Sequence, residues 1–119
     1  MAKTIFVFGS NEAGRHGKGA AEYARKHYGA IYGQGEGLQG SSYAIPTKDQ
    51  KIKTLPLSEI EKGVQRFLQF AADHPELLFR VTPIGCGLAG YKPTDIAPFF
   101  RNHTENITLP NEFFEILNS

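Results

Sequence analysis

Apolar positions follow two rhythms along this chain. Thr4 to Phe8 is an unbroken run of β-branched and aromatic residues, the pattern of a strand buried on both faces. Gly9 to Lys18 has no period and reads as a loop. Gly19 to about Tyr28, with Ala20, Ala21, Tyr23, Ala24 and Arg25, favours a helix that Gly29 ends at its C′ position. Gly33 to Ser42 is glycine-rich, and Ser42 to Pro46 predicts a strand stopped by proline. Thr47 to Leu57 is polar and then extended.

The clearest helical period begins at Ser58. Ile60, Val64, Phe67, Leu68 and Ala71 share one face, Ser58 and Glu61 fit a capping box, and His74-Pro75 marks the end. Leu77 to Ile84 predicts a strand, Gly85 to Pro93 a loop, and Thr94 or Asp95 the start of a helix running to Phe100. Ile107 to Leu109 closes the sheet, and Glu112 to Leu117 adds a last helical turn. Strands and helices alternate, so a mixed or parallel sheet with flanking helices is expected, with ligands gathering at the carboxyl ends of the strands. With 119 residues and no repeat, linker or low-complexity segment, residues 1–119 read as a single domain.

Charge narrows the partners. The formal net charge is +1 with acids and bases interleaved, so no nucleic-acid partner is expected. The cluster Lys48, Lys51 and Lys53 is local, a solvated loop or one facing a single anion. Cys86 is the only cysteine, which excludes an internal disulfide and multi-cysteine metal sites; no metal and no cofactor is expected. Met1 leads straight into the first strand pattern, too short for a leader or a membrane span, so no membrane partner and a cytoplasmic address are expected.

Glycine carries the chemistry. Nine of the 13 glycines fall between Gly9 and Gly40, and Gly85, Gly87 and Gly90 form a second group. Each group follows an apolar run and precedes a helix. Such a loop offers unpaired backbone N–H groups at a helix start, a ready anion site. Neither loop carries the G-x-G-x-x-G or G-K-[ST] pattern.

Val7-Phe8-Gly9-Ser10-Asn11, followed by Gly17-Lys18-Gly19-Ala20-Ala21, resembles the strand and loop of macro domains, whose pattern is V-N-A-A-N then G-G-G-V. Pro83-Ile84-Gly85-Cys86-Gly87-Leu88-Ala89-Gly90 resembles that family's second phosphate loop. Tyr43-Ala44-Ile45-Pro46-Thr47-Lys48 resembles the strand that ends in the catalytic lysine of the deacylating type, which removes ADP-ribose or acyl groups from esters. The likeness spans roughly residues 4 to 109. It implies a three-layer α/β/α macro-like fold with a mixed central sheet. It also implies a small nucleotide partner resembling ADP-ribose, held by Gly9, Ser10, Asn11, Gly17, Lys18, Gly19 and Ala20 from the first loop. The second loop would contribute Gly85, Cys86, Gly87, Leu88, Ala89, Gly90 and Tyr91.

Two functions stay open: hydrolysis of an ADP-ribosyl or acyl bond, or non-catalytic binding as a sensor or sponge. Ala21 and Ala89 stand where related hydrolases place aspartate. The candidate catalytic residues are Lys48, as nucleophile or phosphate contact, His16, as base or plain loop residue, and Asn11, as ribose contact or loop cap. Cys86 reads as a thiolate at a helix start or a small residue in a tight loop, Tyr91 as a lid or a packed ring, and Asp95 as a substitute acid or a helix cap. Phe113-Phe114 belongs to the core or seats a second subunit of a homo-oligomer.

Overall fold

The computed structural model describes residues 3–118; Met1, on which the leader reading rests, lies outside them. The strands are β1 (Lys3–Asn11), β2 (Gly37–Gln39), β3 (Ser42–Lys48), β4 (Leu77–Val81) and β5 (Ile107–Thr108). The helices are α1 (Gly19–His27), α2 (Leu57–Ala72), α3 (Pro93–Ile96) and α4 (Asn111–Leu117), with a 3-10 turn at Ala97–Phe100. One sheet runs β2-β3-β1-β4-β5. β3, β1, β4 and β5 are mutually parallel and β2 is antiparallel to β3, so the sheet is mixed, as the alternating pattern implies.

Alternate side chains of β1 build two cores. Ile5 and Val7 face the layer of α2, the 3-10 turn and α4, where Phe67, Phe79, Phe100 and Phe113 are fully buried. Phe6 and Phe8 face the opposite side, against Ala21 and Ala24 of α1. A continuous apolar run was required because β1 has helices on both faces. The result is three layers, α/β/α.

Several boundaries differ from the sequence expectation. β3 does not stop at Pro46 but continues to Lys48. Its register with β1 shifts after the Ser10–Pro46 pair, so that Asn11 pairs with Lys48. A bulge is where a strand tolerates proline, because no ladder N–H is demanded there. α2 starts at Leu57 with Pro56 as N-cap, and Ser58 makes no capping bond. The Pro56 carbonyl accepts the first two amides, from Glu59 and Ile60, and leaves Ser58 no capping role. β4 ends at Val81: the Thr82 N–H makes the last bond to β1, at the Val7 carbonyl that the Thr82 hydroxyl also reaches, and Pro83 has no N–H to continue.

Among the described residues, no helix is long and apolar enough to cross a membrane, and no group of three or more His, Cys, Asp or Glu is placed to hold a metal.

Candidate functional site

The carboxyl ends of β1, β3 and β4 open into one cleft of about 620 Å³. Both glycine loops line it: Gly17 to Ala21 on one side, Ile84, Gly85, Gly87, Leu88 and Ala89 on the other. They come close, since Leu88 Cδ1 lies 3.9 Å from where a β-carbon would stand at Gly19.

The first loop is folded by its own side chains. Asn11 Nδ2 donates to the Arg15 carbonyl at 3.0 Å, and the Arg15 N–H donates to Asn11 Oδ1 at 2.9 Å. The Ser10 hydroxyl donates to the Gly35 carbonyl. Gly14 sits at φ 71° and packs so closely on the 33–34 backbone that a β-carbon there would lie 2.3 Å from the Gly33 carbonyl carbon. The loop then enters α1 with Lys18 as N-cap and no side-chain cap. Among the described residues, the amides of Gly17 through Ala21 donate to no other protein group.

The second loop is tied at its base. The Tyr91 N–H donates to the Gly85 carbonyl at 2.8 Å, and the Tyr91 hydroxyl to the Leu55 carbonyl at 2.6 Å. The Thr54 hydroxyl reaches the Ala89 carbonyl at 3.0 Å. Gly85, at φ 76°, takes a left-handed turn in which a β-carbon would press on Ile96 at 3.1 Å. Here too the amides of Gly85, Gly87, Leu88 and Ala89 have no internal acceptor among the described residues. Two sets of free donors therefore flank one cavity.

The charge of the lining is one-sided. Arg15, Lys18 and Lys48 line the cleft, and no aspartate or glutamate does. The bulge at Ser10–Asn11 sets Asn11 beside Lys48 at its floor. Asp49, the neighbour of Lys48, directs its Oδ1 to the N–H groups of Lys51 (2.8 Å) and Lys53 (3.0 Å). These backbone bonds, the Lys53 one foremost, hold its carboxyl below the usual range. That carboxylate closes its own turn.

Not every residue singled out in the sequence reaches the cleft. Gly9, Ser10, Asn11, Gly17, Lys18, Gly19, Ala20, Lys48, Gly85, Gly87, Leu88 and Ala89 line it, whereas His16, Cys86, Gly90 and Tyr91 do not. His16 is fully buried, its ring edge-on to Phe8 at 5.3 Å. Its Nε2 meets two acceptors, the Gln34 carbonyl at 2.9 Å and Gln39 Oε1 at 3.2 Å, which puts the proton on Nε2. A ring so placed pins β2 and residues 33–39 under the first loop and offers no base to the cleft. Cys86 packs towards the α2-side core, and burial, followed by the nearby Glu112 and Asp95 carboxylates, pushes its thiol up to about 11. A thiolate is therefore disfavoured there. Tyr91 is a tie rather than a lid, and Asp95 caps α3 by accepting the Lys92 N–H at 3.0 Å. Phe113 is core, while Phe114 is exposed.

The sequence reading passed over Arg15, Thr47, Ile52 and Thr82, all in the lining. Arg15 lay within the quoted loop, and its pairing with Asn11 at a spacing of four was the available signal. Nothing local marks Ile52 or Thr82.

A mixed five-stranded sheet between two helical layers is consistent with a macro-like fold. A structure of DarTG from Thermosipho africanus in complex with ADP-ribose has a similar fold, with a TM-score of 0.63 over 93% of this chain at 18% identity. This chain spans 39% of the length of that one. Comparison with protein families and with curated proteins gives no match.

Proposed function

We propose that this domain binds ADP-ribose or a closely related nucleotide diphosphate, the diphosphate lying between the two glycine loops. The observation that carries this reading is the convergence of free amides from Gly17–Ala21 and from Gly85, Gly87, Leu88 and Ala89 on a cleft lined by three cations and no acid. Hydrogen bonds to an ionised phosphate are about twice as strong as neutral ones, and the α1 dipole adds to them. The similarity of fold to a protein whose structure holds ADP-ribose supports the choice of nucleotide.

Binding without turnover, as a sensor or sponge, is the primary form of the proposal, because no carboxylate lines the cleft and His16 stands outside it. A second form, hydrolysis of an ADP-ribosyl or acyl ester, is favoured by one observation, the placement of Lys48 beside Asn11 in the lining. Calorimetry with ADP-ribose tests the first: one-to-one binding is expected, and no heat at millimolar ligand ends it. Incubation with ADP-ribosylated protein separates the forms. Released ADP-ribose that disappears in Lys48→Ala establishes hydrolysis; binding with no release establishes the sensor.

A further inference from the structure

Ile52 breaks a local rule. It is a β-branched residue at φ 64°, the one non-glycine residue at positive φ among those described. That conformation is rare for isoleucine and strained, because a β-branched side chain crowds the backbone there. The surrounding turn enforces it. The Asp49 carboxylate holds the N–H groups of Lys51 and Lys53, the Asp49 N–H donates to the Lys53 carbonyl, and the Ile52 N–H donates to the Asp49 carbonyl. Glycine or asparagine would suit the turn better. Ile52 nonetheless occupies it, half-buried, as part of the cleft wall.

Its position says what it meets. The turn hangs from the end of β3, four residues beyond Lys48, and Thr54 ties it to the second loop through Ala89. The free amides take up the stretch between α1 and the second loop, so Ile52 borders what lies beyond the phosphates on the β3 side. Asn11 and Lys48, paired at the ends of β1 and β3, line the same cleft where the turn departs. Each atom of the Asn11 amide makes one bond to Arg15 and keeps capacity for another. Polar side chains at the strand ends and an aliphatic side chain on the turn that follows suit a sugar, which bonds through its hydroxyl edge and packs through its C–H face. A purine would ask for two flat faces.

We infer that Ile52 is a specificity-determining residue that packs against the sugar beyond the diphosphate and so separates ADP-ribose from ADP. The inference rests on the reading of the cleft given above. The test is calorimetry of wild type, Ile52→Gly and Ile52→Val with ADP-ribose and with ADP, alongside thermal unfolding. Wild type is expected to bind ADP-ribose more tightly than ADP. Ile52→Gly is expected to lose about tenfold for ADP-ribose, the effect of withdrawing a partly buried aliphatic group, with ADP unchanged. Its Tm should match or exceed that of wild type, since glycine relieves the strain, and Ile52→Val should restore the preference. A glycine variant that binds both ligands as wild type does, or weakens both equally, overturns the inference while the nucleotide reading stands. Wild type that binds neither ligand removes both.

Discussion

Cys86 shows how surroundings decide chemistry that residue type leaves open. Flanked by glycines before a helix, it has the sequence setting of an activated thiol. Its contacts point the other way: burial first, and then the two carboxylates, favour the protonated form. Because the folded value is raised to about 11, this contribution to stability is fully present below the ordinary thiol value and fades as pH climbs towards 11. Alkylation by iodoacetamide should thus be slow at pH 8 and accelerate with an inflection near 11; an inflection at the ordinary value would show a free, solvated thiol. His16 teaches the same lesson through hydrogen bonds. Removing its ring as His16→Ala leaves a hole under Phe8 and frees Gln39, at a cost of about 2–4 kcal/mol by analogy with other buried truncations. Chemical denaturation measures this, and a loss below about 0.5 kcal/mol, the range of surface changes, would contradict the packed role.

The elements divide cleanly by what specifies them. β1 and α2 were legible because their signals are local: an unbroken apolar run over residues 4–8 and a helical stripe from Ile60 to Ala71. β2 was hidden in a glycine-rich stretch, since it exists by pairing three residues with β3 and by the Gln39 side chain reaching His16 and Ile31. The pattern of residues alone stopped β3 at Pro46, because a bulge is a property of two strands rather than one; only the family resemblance carried that strand on to Lys48. The second loop depends on a single backbone geometry at Gly85. Gly85→Ala would combine a left-handed alanine with pressure on Ile96, and a loss of about 1–2 kcal/mol is expected from such strain. Thermal unfolding reads this directly, and an unchanged Tm would mean that the loop can adopt another path.

The molecule as a whole is held by the α2-side core. Phe67 is fully buried among the rings of Tyr43, Phe79 and Phe100, with the nearest centroid at 5.0 Å. Phe67→Ala should cost about 3–5 kcal/mol, a large part of the stability of a chain this size, and urea unfolding would show it. This core does not form the cleft but sets the strand ends that do. That division explains what could be read of the site. The two loops were legible because glycine is used where backbone is needed, and Arg15 lies within the first of them, while Ile52 and Thr82 enter the lining only through the way the strand ends come together. The proposed function requires both loops to grip one ligand. Titration of the isotopically labelled protein with ADP-ribose, followed by amide chemical shifts, tests that most directly. The amides of Gly17–Ala21 and of Gly85–Ala89 are predicted to shift together with one affinity; shifts confined to one loop, or none in either, would contradict it.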